Sequence, residues 1–311
     1  MIGEKEKKAA EDWFKSLRDR ICQEFENIEI LHQKLETSND THPGRFKRKE
    51  TKRDSGNNTD GGGGVMSIMR NGRVFEKVGV NVSAVYGQLA PEAQASITAR
   101  KKIPNLSKDP RFWASGISLV AHMKNPLTPA IHLNTRMFWT PHAWWFGGGT
   151  DLNPSIVNDE DTKFFHEVLK KFCDKHNKDY YSKFKDWADT YFFIPHRKVA
   201  RGVGGIFYDD LTSGNWGKDF EFTKDVGNAF VEAYIPIIKK HFLKSWTDED
   251  KKAQEVKRGL YAEFNLVHDR GTKFGLQSGH NVEAVLMSLP PTAQWLLYIR
   301  GLRPFLLLYP Q

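Results

Sequence analysis

The sequence is poor in cysteine and has no long apolar run. Only Cys22 and Cys173 occur among its 311 residues, so a disulfide framework and a cysteine-rich zinc module are both excluded. No apolar run approaches the roughly 20 residues that a membrane-spanning helix needs. The segment 1–14 mixes acids with lysines and lacks the apolar core of a secretory signal. These absences predict a cytoplasmic protein that makes no integral membrane contact.

Positive charge and aromatic side chains are plentiful instead. Lys and Arg number 46 against 38 Asp and Glu, which gives a formal net charge of +8, and there are 21 Phe. Such a positive charge is typical of proteins that bind nucleic acid, an acidic membrane surface or a polyanionic small molecule. Residues 45–53 carry much of it, but no RNA-binding or zinc-finger signature accompanies them. We therefore expect no nucleic-acid partner, and we predict a polar, flexible loop over residues 39–60.

Hydrophobic periodicity predicts the class of fold. Apolar residues from Phe14 to Leu35 recur at spacings of three, four and seven, which indicates a long amphipathic helix. A second helix is predicted from residue 159, with Asp159 as its cap, and a third over 226–238. Strand character marks residues 74–85, 116–123, 130–139, 205–209 and 259–267. The irregular spacing predicts an α+β fold, a single domain over residues 1–311 with a large, mainly antiparallel sheet flanked by helices on both faces.

A row of polar side chains follows the predicted strand at 130–139. Residues two apart on a strand share a face, so His132, Asn134 and Arg136 project together and the apolar residues between them cover the opposite face. Ser118 and His122 share a face of the preceding strand in the same way. A short link between the two strands would let them pair, which predicts one sheet face that carries all five side chains. An ordinary solvent-exposed face is the alternative for each row taken alone.

Three glycines and three large rings lie next to one acidic residue in the run WWFGGGTDLNP at 144–154. Glycines let a flat ligand approach the backbone closely, and no Gly-Lys-Ser/Thr follows to make a phosphate loop. Core packing for the rings, and a cap or turn role for Asp151, remain alternatives. Arginine suits paired recognition of carboxylates. The residues together favour a flat heterocyclic ligand with N–H donors and several peripheral acids.

At these residues the sequence resembles the oxygen-dependent coproporphyrinogen III oxidase family, over about residues 10–298. The shared motifs are RNGRVFEKVGVNVS (70–83), GISLVAH (116–122), HLNTR (132–136), WWFGGGTDLNP (144–154), HRKVARGVGGIFYDDL (196–211), YAEFNLVHDRGTKFGLQSG (261–279) and LMSLPP (286–291). The resemblance implies a homodimer that converts the ring A and B propionates of coproporphyrinogen III to vinyls. The products would be protoporphyrinogen IX, CO2 and H2O2, with O2 as co-substrate. No cofactor is expected to be required, because the reduced macrocycle can itself pass electrons to O2.

The resemblance also implies roles for single residues. It makes His132 the proton donor, Asp151 the carboxylate that holds the pyrrole N–H groups, and Arg136 a carboxylate anchor. The implied substrate contacts are Ser118, Asn134, Thr135, Arg136, Arg201, Gly279, His280 and Asn281. Four histidines fall on positions proposed to bind a divalent metal in some bacterial members, namely His122, His132, His166 and His196. They lack the close spacing of a metal motif, so we do not expect a metal to be obligatory.

Two departures from the family pattern keep other functions open. Asn281 stands where the family has an arginine, and residues 299–311 replace the longer acidic tail of the family with an atypical one. The resemblance therefore does not by itself predict a stable dimer. A non-catalytic tetrapyrrole-binding relative is the first alternative, and a histidine-bound metal oxygenase is the second.

Overall fold

A computed structural model describes residues 2–37, 41–54, 60–277 and 281–296 of the chain. Its strands are β1 (Lys47–Asp54), β2 (Asp60–Arg70), β3 (Phe75–Gln88), β4 (Arg111–Met123), β5 (Ala130–Trp139), β6 (Trp144–Asn153), β7 (Phe193–Ile194), β8 (Val199–Ala200) and β9 (Gly205–Leu211). Its helices are α1 (Glu4–Leu35), α2 (Pro91–Arg100), α3 (Asp159–Asp174), α4 (Tyr180–Tyr191), α5 (Trp216–His241), α6 (Asp248–Glu263), α7 (Arg270–Gln277) and α8 (Val282–Val285). A π-helix at Phe264–His268 continues α6, and a 3-10 turn at Leu286–Ser288 continues α8.

Seven of the strands form one antiparallel sheet in the order β1-β2-β3-β4-β5-β6-β9. The remaining two, β7 and β8, form a short hairpin of their own. Neighbouring strands of the large sheet are mostly also neighbours in sequence, as short connections favour. The predicted α+β class with a mainly antiparallel sheet is confirmed.

One face of the sheet is apolar and packs against α1 and α5. The predicted periodicity of α1 is confirmed from Phe14 to Ile28, because its apolar residues there are buried at the predicted spacing, but Leu35 at the end of the series is exposed. Phe25 stacks on Phe75 of β3 with ring centroids 4.4 Å apart. Each such side chain contributes about 1.5–3 kcal/mol by leaving water. This face is therefore the main core, and it leaves the other face of the sheet for the site.

A buried carboxylate ties α1 to the sheet. Glu29 is completely buried, and its two oxygens accept backbone N–H bonds from Gly44 (2.9 Å), Arg73 (2.6 Å), Val74 (2.9 Å) and Phe75 (2.9 Å). One carboxylate thus satisfies the hydrogen-bonding capacity of four backbone N–H groups, three at the start of β3 and one in the segment before β1. The contact sets the position of the helix relative to the strands.

We expect Glu29→Gln to lower the free energy of unfolding by about 2–3 kcal/mol, because an amide NH2 would face buried N–H donors that need an acceptor. Denaturant unfolding followed by circular dichroism measures the change. Glu26→Gln is the matched control on the same helix: Glu26 is more exposed and accepts from Phe46 N and Arg45, so its loss should change stability by about 1 kcal/mol or less. Equal stabilities of the two variants would contradict this role for Glu29.

The opposite face of the sheet is covered at its two ends. At one end, Gln254 Nε2 and Arg258 Nη2 of α6 donate to the carbonyl of Met123 at 2.8 and 3.0 Å. Met287 of the 3-10 turn packs there over Gly79, where a Cβ atom would lie 2.2 Å from the Met287 side chain. At the other end, α2 and the segment after it pack on Trp145. Helices on both faces, as predicted, thus leave a central strip of this face between the two covers.

Two sequence predictions about secondary structure are wrong. Residues 259–267, predicted as a strand, form the end of α6 and the π-helix, because the buried Tyr261 and Phe264 recur with helical spacing. Residues 39–60 are not a loop throughout, since β1 pairs along β2 as the edge strand of the sheet. Charged side chains are common on edge strands, where they discourage further pairing, so a basic run did not exclude a strand. Residues 39–40 and 55–59 lie outside the described residues.

The other two predicted helices are confirmed, with one change at the cap of the first. The helix predicted from residue 159 is α3, but its cap is Asn158, whose Oδ1 accepts from Asp161 N at 3.0 Å, and not Asp159. The helix predicted over 226–238 lies within α5. Among the helices of the described ranges, none is long and apolar enough to cross a membrane.

Candidate active site

The predicted polar row exists. The strand register places Ser118 opposite Asn134, His132 opposite Asp151 and Arg136 opposite Gly147, so these positions share the face that the helical core leaves free. Along β5, residues on this face are partly exposed and alternate with buried ones. Strand geometry alone explains this result, since successive side chains point to opposite faces. The central strip of the sheet is therefore a polar floor.

Asp151 and His132 are in direct contact across neighbouring strands. The Nδ1 atom of His132 lies 2.9 Å from Oδ1 of Asp151. Asn153 Nδ2 donates to the other carboxylate oxygen at 2.9 Å. The His132 side chain is 19% exposed, whereas that of Asp151 is 1% exposed. A buried carboxylate thus orients an imidazole that is partly exposed on the polar floor.

Asp151 has a second, charged partner, Arg201. Arg201 Nη2 lies 2.7 Å from each Asp151 oxygen and Arg201 Nε donates at 3.1 Å, so the two side chains form a buried ion pair. The Arg201 guanidinium lies 4.2 Å from the ring centroid of Phe192 and 4.6 Å from those of Tyr261 and Phe264. Arg201 is therefore a partner of Asp151, held by aromatic rings, and is not a freely exposed anchor for carboxylates.

The ion pair sets the charge state of Asp151. Burial by itself would raise its pKa, but the Arg201 guanidinium and the hydrogen bond with His132 outweigh burial and lower the pKa to about 2. The same pairing raises the pKa of Arg201 against the opposing effect of burial. Asp151 is consequently ionised at neutral pH.

Arg136 lies at the other end of the floor. Its Nη1 donates to Asn134 Oδ1 at 2.7 Å and its Nη2 to Asp209 Oδ1 at 3.0 Å. Gly147 lies beside it, and a Cβ atom there would approach Asp209 Oδ1 to 2.8 Å and Arg136 Nη2 to 3.0 Å. A side chain at position 147 would therefore press against the Arg136–Asp209 pair. The glycines of this face let a flat ligand approach the backbone closely.

Sequence reasoning missed Asp209 and its neighbours. Asp209 is buried, and its carboxylate is shared by Arg136, Arg100 and Arg270 at distances of 3.0, 2.7 and 3.5 Å. Burial would raise its pKa, but the three guanidiniums lower it. The acid pair at the end of the motif ending in YDDL was the only signal of this cluster. Nothing in the surroundings of Arg100 or Arg270 in the sequence could have connected them with Asp209.

Several predicted substrate contacts are not brought to the floor. Thr135 lies on the apolar face and is completely buried. Asn281, at the position of the family arginine, caps α8 through its Oδ1, which accepts from Ala284 N at 3.0 Å. Ala284 O accepts in turn from Asn81 Nδ2 at 3.2 Å on β3, so Asn281 supports a helix that is anchored to the sheet. Gly279 and His280 lie outside the described residues, as does the tail at 299–311.

The four histidines proposed for a metal have separate partners. His122 is 1% exposed and lies 2.9 Å through Nε2 from Ser288 O, and burial lowers its pKa to about 3. His166 contacts Val203 O and Tyr181, and His196 contacts His268 and Glu263. Over the part of the chain that the structure describes, no three His, Cys, Asp or Glu side chains are grouped so as to hold a metal ion. The structure therefore does not bring this histidine set together.

Comparisons with known proteins agree with the motifs on this face. The family model of coproporphyrinogen III oxidase matches residues 9–300. A protein of Rickettsia bellii described as oxygen-dependent coproporphyrinogen-III oxidase is 49% identical over 294 residues, which cover 94% of this chain and 100% of that protein. Proteins of the same description from Rickettsia peacockii and Rickettsia akari are each 48% identical over 289 residues, covering 93% of this chain and 98% of theirs.

Proposed function

Because the chain belongs to the coproporphyrinogen III oxidase family, we propose that it catalyses the oxygen-dependent oxidative decarboxylation of coproporphyrinogen III in haem biosynthesis. The propionates on rings A and B become vinyl groups, and the product is protoporphyrinogen IX. The observation that carries the proposal is the pairing of His132 with the buried, ionised Asp151 on the same sheet face as Arg136. A proton-transfer group and a carboxylate-binding group then face one flat ligand.

Each of the two oxidations requires little from the protein besides position and one proton. A propionate loses CO2 and two electrons to become a vinyl group, and O2 takes up the two electrons with two protons to form H2O2. One of these protons comes from the propionate chain and the other from a donor. His132 is placed to supply it, since Asp151 holds Nδ1 and the imidazole is partly exposed on the floor. The electron-rich reduced macrocycle passes these two electrons from the propionate to O2 and ends at its original oxidation level, so the proposal includes no flavin and no obligatory metal.

The floor orients the substrate in this proposal. Arg136 is partly exposed and retains N–H donors beyond those used by Asn134 and Asp209, so it can bind a propionate as a charged pair. Ser118 and Asn134 supply polar contacts between Arg136 and His132 along the strands. The proposal also includes a homodimer, which the resemblance to the family supports, and a cytoplasmic location.

The decisive experiment is a product assay with the purified chain. Under air we expect CO2 release, vinyl formation and H2O2 in proportion to one another, and under argon we expect substrate binding without any of them. Binding under argon followed by no product on admission of air would support the non-catalytic relative instead. Full turnover after exhaustive dialysis against a chelator would reject an obligatory metal, and its loss with recovery on adding a divalent ion would favour the metal oxygenase.

Arg136→Gln should lower kcat/KM by about 10- to 100-fold, because a charged contact to a propionate is lost. Its effect on the melting temperature should be small, since its side chain is 35% exposed. Arg20→Gln is the matched control, because Arg20 also donates to an asparagine, Asn228, but on the helical side of the fold. Collapse of the melting temperature of Arg136→Gln with normal activity per folded molecule would remove Arg136 from the site.

A further inference from the structure

Four charged side chains from four separate elements meet above the end of the polar floor. Asp209 on β9 accepts from Arg136 on β5 through Oδ1 at 3.0 Å. Its Oδ2 accepts from Arg100, the last residue of α2, at 2.7 Å, and lies 3.5 Å from Arg270, the first residue of α7. The cluster therefore joins α2, which covers one end of this face, and α7, which follows the π-helix at the end of α6, to the sheet between them.

The charges of this cluster do not balance. Three guanidiniums against one carboxylate leave a formal excess of two positive charges. Two further charges are in ion-pair contact with the cluster, Asp210 at 3.3 Å from Arg100 and Lys101 at 4.0 Å from Asp210, and these two cancel each other. An excess of this size is unfavourable in a partly buried place unless anions are bound there. Two carboxylates would neutralise it.

The guanidiniums still have donors to offer. Each guanidinium has five N–H groups, and the side chains of Arg136, Arg100 and Arg270 are 35%, 34% and 48% exposed. Arg100 uses only Nη1 for both Asp209 and Asp210. The guanidinium of Arg270 makes no hydrogen bond to any described residue and lies 5.0 Å from the ring centroid of Tyr191. Planar groups held in this way favour paired contacts to carboxylates.

The cluster lies away from the reacting group but on the same face. Arg136 and His132 are four residues apart on β5, which is about 13 Å at the usual rise of a strand. A carboxylate bound at the cluster therefore does not itself reach His132. In this arrangement it holds the macrocycle by its rim while another propionate lies at His132.

We propose that Arg100, Arg136 and Arg270 form one subsite that binds two carboxylates on the rim of the ligand, and that Asp209 positions the three guanidiniums. The identity of the ligand as a tetracarboxylate macrocycle rests on the proposed function. Asp209 is a positioning residue in this arrangement, whereas Arg100 and Arg270 bind the ligand directly.

The test is equilibrium binding of coproporphyrin III, an oxidised tetracarboxylate that does not react, measured by fluorescence titration of the full chain. Arg100→Gln and Arg270→Gln should each raise Kd by about 10- to 100-fold, and the effect should be smaller for Arg270→Lys, which keeps the charge. In turnover assays the same variants should raise KM more than they lower kcat. Arg111→Gln, which removes an exposed ion pair with Asp109, should leave Kd unchanged.

Circular dichroism melting curves show whether each variant is folded before its Kd is compared. Unchanged Kd for both glutamine variants, or no binding of coproporphyrin III by the wild-type chain, would overturn the subsite. Binding that depends on Arg100 and Arg270 in a chain without oxidase activity would support the subsite and reject the proposed function. Normal turnover with normal KM in both variants would support the function and reject the subsite.

Discussion

Asp151→Asn is expected to lower the free energy of unfolding by about 3–5 kcal/mol, because it leaves the Arg201 guanidinium charged and unpaired in the interior. The Asp151 and Arg201 side chains are 1% and 2% exposed, so water cannot replace the lost carboxylate. Turnover should fall as well, since Asp151 holds Nδ1 of His132 at 2.9 Å. Denaturant unfolding measures the first effect, and the rate of vinyl formation per folded molecule measures the second.

The pH dependence of stability gives an independent check on Asp151. Its pKa is lowered from the ordinary value of 3.8 to about 2 in the folded chain. A lowered pKa means that the stability from ionised Asp151 is fully present above about pH 4 and is lost as the pH falls towards 2. The stability difference between the wild-type chain and Asp151→Asn should therefore shrink over that range. A constant difference from pH 6 to pH 2 would contradict the ionised pair.

Asp109→Asn is the matched control for this prediction. Asp109 also pairs with an arginine, Arg111, but these side chains are 31% and 64% exposed. Exposed pairs contribute about 1 kcal/mol or less, so this variant should unfold almost as the wild-type chain does. If Asp151→Asn is equally mild and retains normal turnover, Asp151 is neither the buried anion of the site nor the group that orients His132.

His132→Asn should lower kcat by about 100- to 10,000-fold, which is the usual contribution of a positioned proton-transfer group. The asparagine amide can still donate to Asp151 near the place of Nδ1, so folding should be largely preserved. The second ring nitrogen, Nε2, is what the variant loses. The rate of vinyl formation at saturating substrate measures kcat, and titration with coproporphyrin III should show nearly unchanged Kd.

His176→Asn provides the control for His132. His176 lies 2.9 Å from Asp225, the same distance as that between His132 and Asp151. The side chains of His176 and His132 are also equally exposed, at 19%. This second pair lies on the helical side of the fold, where Asp225 belongs to α5. Its variant should therefore keep full turnover. A His132→Asn variant that retains most of its kcat would require another proton donor for the reaction.

The structure also gives Asn281 a role that differs from that of the family arginine. Its side chain caps the N-terminus of α8. The helix is in turn hydrogen-bonded to β3, because Asn81 Nδ2 donates to Ala284 O. The unusual residue thus contributes to the position of the cover over the floor. The guanidiniums of Arg100 and Arg270 supply positive charge on the same face from other elements. This arrangement explains how the departure at 281 is compatible with binding of a polyacid.

The polar row was predictable because it depends on a single local rule. Alternation along β5 places His132, Asn134 and Arg136 together whatever the strand packs against. The pairing with β4 followed from the short link between the two strands. The errors arose where tertiary structure overrides local pattern: the basic β1 pairs as an edge strand, and the apolar run at 259–267 remains helical because Tyr261 and Phe264 are buried from a helix.

The sequence by itself determined which side chains of each strand share a face, and its motifs determined the family. Only the tertiary structure decided which charges meet. Arg201 neutralises Asp151, and Arg100 and Arg270 converge on Asp209, because α2, α7 and the turn before β9 pack over one face of the sheet. The energy of an ion pair depends on distance and burial, and neither quantity is encoded in the spacing of residues along the chain.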